Sequence, residues 1–164
     1  MFARARRLGL TTSLDTNWDP SGRWAGLAGI LAETDVFLPN AAELLAVTGA
    51  AALEDAAAML VKGGTTVVLK DGARGGRAWW PGGDCAAPGL AMDVVDTTGA
   101  GDSFNAGFLA ARLGAASAGP AAAPTAAGMD VAVAWAAVAG SLSTRAAGGT
   151  DAQATLEEIT LSVR

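Results

Sequence analysis

Short apolar runs ending in turn residues alternate along the chain with longer stretches whose apolar positions recur at helical spacing. The strand-like runs are Leu10–Leu14, Val36–Leu38, Thr66–Lys70 and Met92–Val95. The helix-like stretches between them are Trp24–Ala32, Ala41–Val47 and Leu53–Val61. Because strands that alternate with helices form parallel βαβ units, the pattern predicts an α/β domain whose sheet is covered by helices on both faces.

The remaining segments are assigned in the same way. Residues 2–9 resemble the end of a helix, since basic residues precede a glycine. Arg77–Trp80, with the Pro81-Gly82-Gly83 turn, predicts a hairpin. A loop rich in Ala, Gly and Pro, residues 114–128, is predicted to precede an apolar helix over Val131–Ala147. The chain then closes on a predicted helix, Leu156–Val163.

The most informative motif is the glycine-rich turn after the run that ends at Val95. Residues 96–109 read DTTGAGDSFNAGFL and lead directly into an apolar helix. Gly99 and Gly101 allow a tight turn, and the free amides and positive end of the following helix favour a phosphate. Asp102 beside such a site is suited to accept a proton from an attacking hydroxyl. The alternative is an acid that only stabilises the helix N-terminus.

This string closely resembles the second signature of the PfkB-type, or ribokinase-like, carbohydrate kinases. The resemblance implies a three-layer αβα sandwich of Rossmann type with a mainly parallel sheet. It also implies that Asp102 is the catalytic base and that Gly99, Ala100 and Gly101 form the anion hole. Further stretches match the family in the same order and cover nearly the whole chain: residues 14–17, 37–43, 67–76 and 141–145.

The resemblance also implies an ATP site and a magnesium site. Lys70, Asp71, Gly72 and Gly75 form a turn that borders the nucleotide in the family. Asn40 and Glu43 are similar to the family's Asn-x-x-Glu element, which orders Mg²⁺ through its waters. The same pair also fits a helix capping box, and the two roles are compatible.

Other positions follow from the same resemblance. Asp96 and Thr98 resemble residues that help to hold a monovalent cation such as K⁺, with main-chain oxygens of residues 146–149. Asp15 and Asn17 resemble substrate-binding residues that follow a strand. In some relatives an arginine stands two residues after that element, but here the position is Asp19. A substrate that carries a carboxylate is therefore not favoured.

One further position concerns the adenine base of the nucleotide. Ala136 stands where some ribokinase-like enzymes place an asparagine near adenine.

Most of the candidate residues follow predicted strands. In open α/β sheets ligands bind at the carboxyl ends of the strands, so we expect these residues to form one site.

Composition and charge exclude several other classes of function. The chain has no histidine and a single cysteine, Cys85, which excludes Ser-His-Asp and Cys-His catalysis and Cys/His zinc sites. The net charge of −5, with scattered Lys and Arg, argues against nucleic acid as a partner. No uninterrupted apolar run of membrane-spanning length and no secretory signal is recognised, so we expect no membrane association and a cytoplasmic location.

The length of 164 residues suits one domain, whereas family members are considerably longer by resemblance. We therefore expect residues 1–164 to be the C-terminal nucleotide-binding and catalytic portion of a carbohydrate kinase, without the N-terminal strands and lid. The expected ligands are ATP, Mg²⁺ and an unidentified sugar, and we expect a homodimer or self-association. The alternative is a catalytically silent nucleotide-binding or dimerising remnant. A dinucleotide-binding oxidoreductase is disfavoured because the third glycine of that fingerprint is missing.

Overall fold

The structure, a computed structural model, describes residues 1–116 and 124–163. Its α-helices are α1 (Phe2–Arg7), α2 (Leu27–Leu31), α3 (Ala41–Thr48), α4 (Leu53–Lys62), α5 (Ala100–Ala116), α6 (Ala126–Ser143) and α7 (Leu156–Ser162). Its strands are β1 (Ser13–Leu14), β2 (Val36–Phe37), β3 (Thr66–Lys70), β4 (Gly76–Trp80) and β5 (Gly83–Ala87). A 3₁₀ turn, Gly72–Arg74, joins β3 to β4. The predicted α/β class is confirmed.

The strands form one sheet in the order β1-β2-β3-β4-β5. The pairs β1–β2 and β2–β3 are parallel, with Ser13 opposite Val36 and Val36 opposite Thr66. Helices lie between these strands in the chain, as the alternation of patterns predicts. Only short turns separate β3, β4 and β5, and such connections join antiparallel strands, so the sheet is mixed.

The chain divides into two compact units. Unit 1 comprises Met1–Leu69 and Ala78–Gly83, and unit 2 comprises Lys70–Arg77 and Asp84–Arg164. The core of unit 1 is an apolar cluster to which β2, α3, α4 and β3 contribute. Its buried members are Leu31, Phe37, Leu44, Ala56, Ala57, Val67 and Leu69. The continuous apolar run of β3 is explained by this burial, because Thr66–Leu69 are all buried.

Unit 2 is built around α5 and α6, which pack closely because α5 carries Gly107 at their contact. A β-carbon at Gly107 would lie 2.7 Å from the carbonyl oxygen of Trp135 and 2.9 Å from the β-carbon of Ala139. Phe104 and Phe108 of α5 are buried with Met129 and Val133 of α6. The small residues of these helices therefore allow the two backbones to approach closely.

α6 is a core helix of unit 2. By length and composition α6 could cross a membrane, and the bent pair α3 and α4 would add a second candidate. One or two such helices are weak evidence for a membrane span, because buried core helices have the same length and composition. Nine residues of α6, from Met129 to Ser143, are buried inside the protein. Burial in unit 2 accounts for its apolar character.

The predicted strand Met92–Val95 is wrong, because the structure has no strand there. A strand needs hydrogen bonds from a neighbouring strand, but the amides of Val95 and Asp96 donate instead to the carbonyl of Thr144 after α6. The side chains of Val94 and Val95 are 60% and 63% exposed, so the apolar run does not report burial in a sheet.

Several predicted boundaries also differ from the observed ones. α6 begins five residues before the predicted start, at Ala126, because the hydroxyl of Thr125 caps the helix by accepting from the amide of Gly128. β1 is shorter than Leu10–Leu14, and α2 is shorter than Trp24–Ala32. Of the predicted loop over residues 114–128, positions 117–123 lie outside the described residues.

Candidate functional site

The loop before α5 is held in place by Asp96. The Asp96 carboxylate accepts hydrogen bonds from the amide of Thr98 at 2.9 Å, from the Thr98 hydroxyl at 2.7 Å and from the amide of Gly148 at 3.0 Å. Gly99 follows with φ of 76°, and a β-carbon there would lie 2.8 Å from the carbonyl oxygen of Gly149. Only glycine fits such a position, so the turn of residues 148–149 lies directly against this loop.

These hydrogen bonds also set the charge of Asp96. The bond from Gly148, followed by those from the amide and the hydroxyl of Thr98, lowers the pKa of Asp96 to about 2. Each bond stabilises the ionised carboxylate, so Asp96 is negative at all ordinary pH values. Asp96 thus contributes both an anchor and a fixed negative charge to the loop.

The start of α5 presents backbone amides at the end of the glycine-rich turn. The amide of Ala100 donates to the carbonyl of Thr97 at 3.1 Å, and the amide of Ser103 donates to the carbonyl of Gly99 at 2.9 Å. The amides of Gly101 and Asp102 lie in the first turn, where a helix has no earlier carbonyl of its own to accept them. Asp102 is exposed at the same end, which carries the positive pole of the helix.

Lys70 adds a positive charge beside this helix end. Its Cδ and Nζ lie 3.5 and 3.8 Å from the point where a β-carbon of Gly101 would stand. A larger residue at position 101 would therefore press on the lysine side chain. Lys70, at the end of β3, thus lies beside the glycine-rich turn.

A cleft of about 520 Å³ in unit 2 begins at this point. Five of the predicted site residues line it: Lys70, Gly72, Gly75, Ala100 and Gly101. Its remaining walls come from residues 89–94, from Thr97 and Phe104, and from the last turns of α6. The volume lies within the range of small-molecule sites.

The turn after β3 forms one border of the cleft. Gly75 has φ of 95°, and a β-carbon there would collide with the carbonyl oxygen of Ala87. Asp71 has its carboxylate bound by the guanidinium of Arg74, at 2.6 and 2.9 Å, and its amide bound to the carbonyl of Gly75. Asp71 therefore shapes this turn, while Gly72 and Gly75 face the cleft itself.

The predicted magnesium pair lies in unit 1. Asn40 and Glu43 form a reciprocal capping box at the start of α3, with both hydrogen bonds at 2.9 Å. Among the described residues no group of three or more His, Cys, Asp or Glu could hold a metal ion. Glu43 is buried, and one oxygen of each of the two side chains is bound in the cap.

The predicted substrate residues Asp15 and Asn17 also belong to unit 1, directly after β1, and both are exposed. One Asp15 oxygen accepts from the amide of Thr16 at 2.8 Å. A few residues on, Trp24 has φ of 49°, an unusual backbone conformation for a bulky residue. Its amide donates to Asp19 at 2.8 Å, so the aspartate found in place of an arginine holds a local turn.

Several residues that line the cleft were not identified from the sequence. They are Ala73, Gly89, Leu90, Ala91, Met92, Val94, Thr97, Phe104, Ala137, Gly140, Ser141 and Thr144. Of two neighbouring alanines, Ala137 lines the cleft, whereas the backbone of Ala136 lies at Gly107 of α5. In the sequence, the small residues Gly140 and Ser141 near the end of a mainly apolar helix were the available indication that this part of α6 lines a cleft.

Known proteins resemble this chain over most of its length. Residues 2–156 match the model of the pfkB family carbohydrate kinases. The chain is 38% identical over 111 residues to an ATP-dependent ribose-1-phosphate kinase of Halopiger xanaduensis, covering 66% of this chain and 35% of that protein. It is 40% identical over 92 residues to a 1-phosphofructokinase of Haloferax volcanii, covering 52% and 30% respectively.

Solved structures give the same result. The structure of a putative ribokinase II of E. coli in complex with ATP and Mg²⁺ superposes with a TM-score of 0.84 and 23% sequence identity. The match covers 99% of this chain and 51% of the ribokinase II chain. A fructokinase of Vibrio cholerae bound to fructose, ADP and calcium superposes with a TM-score of 0.83 and 26% sequence identity. This match covers 99% of this chain and 54% of the fructokinase chain. The chain thus spans about half the length of these structures.

The matched range, residues 2–156, covers nearly the whole chain and includes the Gly-Ala-Gly-Asp turn. The chain belongs to the pfkB family of carbohydrate kinases.

Proposed function

We propose that this chain carries the nucleotide-binding and catalytic portion of an ATP-dependent carbohydrate kinase, which transfers a phosphoryl group from Mg·ATP to a sugar hydroxyl. The observation that carries the proposal is the meeting of three features in unit 2. These are the first turn of α5 with Asp102, the Lys70 side chain against Gly101, and the cleft that opens beside them.

The named activities of the relatives support the same reaction class. Their names specify a ribose-1-phosphate kinase, a 1-phosphofructokinase and a fructokinase, and one neighbour was solved with ATP and Mg²⁺. The acceptors in those names are sugars or sugar phosphates. We therefore assign a sugar hydroxyl as the acceptor class.

In the proposed reaction, Asp102 accepts the proton of the sugar hydroxyl as that oxygen attacks the γ-phosphorus. The bond between the γ-phosphorus and the bridging oxygen breaks, and ADP leaves with the electron pair. The amides of Gly101 and Asp102 and the positive end of α5 stabilise the charge on the transferred group. Lys70 neutralises a further part of the phosphate charge. Gly99 and Ala100 shape the turn that presents these amides.

The remaining predicted residues have supporting roles. A magnesium ion, when bound, neutralises charge on the β- and γ-phosphates, and Asn40 and Glu43 are the proposed ligands of its waters. Asp96 and Thr98 are the proposed support for a monovalent cation. Gly72 and Gly75 border the nucleotide on the turn that Asp71 shapes. Asp15 and Asn17 are the proposed contacts to the sugar.

Nucleotide binding by the chain itself tests the proposal. Mg·ATP at millimolar concentration should raise the unfolding midpoint of a sample shown to be folded by circular dichroism, because a ligand of the native state stabilises it. The substitution Lys70→Gln should abolish most of that shift. Lys62→Gln, an exposed lysine at the end of α4, is the matched control and should keep it.

The outcomes separate the two candidate functions. No shift with Mg·ATP in the folded chain would contradict the ATP assignment. Transfer of ³²P from ATP to any member of a sugar panel would support a kinase. Reproducible ATP binding without transfer to any sugar would instead favour a nucleotide-binding protein that is catalytically silent.

A further inference from the structure

We propose that α7 acts as a clamp on the glycine-rich loop before α5, and that Arg145 and Glu158 are the positioning residues that close it. Neither residue lines the cleft. Both act through the turn of residues 145–149, called here the clamped turn. Their role rests on the proposed function, because the loop that is held leads into the amides and the Asp102 carboxylate proposed to act on the phosphate.

The clamped turn is bonded to the glycine-rich loop on both of its sides. Just before the turn, the carbonyl of Thr144 accepts from the amide of Asp96 at 3.2 Å. Towards its end, the amide of Gly148 donates to the Asp96 carboxylate at 3.0 Å. The carbonyl oxygen of Gly149 lies 2.8 Å from the point where a β-carbon of Gly99 would stand. A displacement of the clamped turn therefore reaches the residues that lead into α5.

The clamped turn has few means of fixing its own conformation. Its sequence is Arg-Ala-Ala-Gly-Gly, and Gly148 and Gly149 have φ of 91° and 71°. Glycine has more backbone freedom to lose on ordering than any other residue. Ala147 and Gly148 are exposed, so burial does not hold them either. The order of the turn therefore depends on contacts that it makes with other segments.

Arg145 and Glu158 supply such a contact. Arg145 Nη1 donates to Glu158 Oε1 at 2.7 Å and joins residues 13 positions apart. The other carboxylate oxygen accepts from the amide and the hydroxyl of Thr155 at 2.8 and 3.0 Å, within the capping box of α7. A carboxylate fixed by a helix cap has less side-chain freedom to lose in an ion pair than an isolated surface residue.

α7 itself is anchored in the core of unit 2. Ile159, the residue after Glu158, is buried in an apolar cluster with Val138 and Leu142 of α6. Leu90, which lines the cleft, packs against the same cluster. Glu158 is thus presented by a packed helix to a turn of high backbone freedom. The ion pair therefore restrains the turn, and the turn restrains the loop.

Loss of the pair should weaken phosphate binding without loss of the fold. When only a fraction of the molecules has the binding-competent conformation, the measured affinity falls by that fraction. A glycine-rich loop with a released neighbour spends less time in that conformation. Removal of an acidic charge would by itself favour an anionic ligand, so weaker binding after neutralisation of Glu158 would report the lost restraint and not the lost charge.

Glu158→Gln tests the proposal, with Glu157→Gln as the matched control. Glutamine can still complete a capping box but carries no charge for Arg145. Glu157 is the exposed neighbouring acid on α7. Calorimetry at a temperature where circular dichroism shows each sample folded should give dissociation constants for Mg·ATP and Mg·tripolyphosphate about three- to fivefold higher in Glu158→Gln. Glu157→Gln should leave both affinities unchanged or slightly improved.

Hydrogen exchange of the ligand-free chain gives a readout that does not depend on nucleotide. Peptides that cover residues 96–104 and the clamped turn should exchange faster in Glu158→Gln than in Glu157→Gln. Peptides of β3 should exchange equally in both variants, because the loss of the pair promotes local opening and not global unfolding.

Variants of Arg145 show whether the two side chains act as a pair. Arg145→Lys keeps the positive charge and should retain more of the ATP affinity than Arg145→Gln. The double variant Arg145→Gln with Glu158→Gln should bind Mg·ATP no more weakly than either single variant, because each change alone breaks the same contact. Effects that add in the double variant would overturn the assignment of the pair.

The other outcomes are equally decisive. Equal affinities and equal exchange in Glu158→Gln and Glu157→Gln would overturn the proposed clamp and leave the proposed function intact. Faster exchange of the loop without weaker binding would overturn the positioning role, because the pair would then support the fold alone. Weaker binding without faster exchange would overturn the route through the clamped turn. Failure of the unmodified folded chain to bind Mg·ATP would contradict the proposed function, and with it the role of the pair.

Discussion

Two carboxylates six positions apart have different environments and therefore different proposed roles. Asp96 accepts bonds from Thr98 and Gly148 that lower its pKa to about 2, so it is an anchor that stays ionised. Asp102 is exposed on the first turn of α5, at the positive end of the helix. A proton acceptor must be open to its substrate, and Asp102 is exposed, whereas the carboxylate of Asp96 is occupied by hydrogen bonds from Thr98 and Gly148.

We expect Asp102→Asn to remove catalysis without removing nucleotide binding. A general base typically contributes about 10²- to 10⁴-fold to the rate, so turnover should fall by that factor in any preparation that phosphorylates a sugar. Affinity for Mg·ATP should stay the same or increase, because the carboxylate repels phosphate. Steady-state kinetics and calorimetry measure the two effects separately. Asp130→Asn, an exposed aspartate on α6, is the control; turnover retained in Asp102→Asn would refute the assignment.

Asp96 should make stability depend on pH in the acid range. Its pKa falls from 3.8 to about 2 on folding, so the unfolded state binds the proton first. The stabilisation is therefore complete above about pH 5 and is lost as the pH falls towards about 2. Urea unfolding of the protein and of Asp96→Asn should differ most near neutral pH and converge in acid. A difference independent of pH would contradict the role of the charge.

At the scale of elements, α5 and α6 depend on close backbone approach. Phe104 and Phe108 of α5 and Met129 and Val133 of α6 are buried, and the same two helices supply much of the cleft. Gly140 of α6 approaches α5 as well, since its β-carbon would lie 3.2 Å from the carbonyl oxygen of Ala100. The packing that stabilises unit 2 thus also positions the first turn of α5.

Substitution of glycines along α5 should reveal this dependence. Gly107→Ala introduces a methyl group 2.7 Å from the carbonyl oxygen of Trp135, so we expect a loss of about 1–3 kcal/mol in the free energy of unfolding from overpacking. Gly114→Ala places its methyl where, among the described residues and apart from its chain neighbours and the backbone of its own helix, no atom lies within 4 Å. The higher helix propensity of alanine should therefore leave stability equal or slightly higher. Equal effects of the two changes in urea unfolding would contradict the close contact.

At the scale of the whole molecule, the proposed nucleotide cleft and the proposed base Asp102 belong to unit 2, whereas the residues proposed for magnesium and the sugar belong to unit 1. The cleft is assembled from segments distant in sequence: the turn after β3, residues 89–94, the start of α5 and the end of α6. The chain covers about half of the length of the solved kinases that it matches. Its sugar and its complete activity therefore remain proposals.

Hydrogen exchange should map the nucleotide onto the cleft. Saturation with Mg·ATP should slow amide exchange in peptides that cover residues 70–75, 89–94, 97–104 and 137–144, because ligand binding suppresses local opening of the segments it contacts. Mass spectrometry of the deuterated peptides measures this protection. Lys70→Gln provides the control, since it should reduce protection at all four segments together. Protection confined to other parts of the chain would contradict the assignment of the cleft.

The sequence by itself determined those features whose causes are local. The observed bounds of β3 equal the predicted ones, and α3 begins at the predicted residue because the capping box of Asn40 and Glu43 spans only three positions. The glycine-rich turn before α5 likewise depends on the backbone freedom of adjacent residues, above all Gly99. Together with the order of the motifs, these local signals were sufficient to identify the family.

Tertiary structure decided what depends on residues far apart in the chain. The hydrogen bond from the amide of Gly148 to the carboxylate of Asp96 joins residues 52 positions apart. The hydrogen bond from the amide of Leu90 to the hydroxyl of Ser141 joins residues 51 positions apart, so no local pattern predicts either bond. Met92–Val95 looks like a strand, but a strand requires a paired neighbour, and here the amide of Val95 bonds to Thr144. Likewise, Ala136 and Ala137 are chemically identical, and only the packing of α6 against α5 determines that Ala137 faces the cleft.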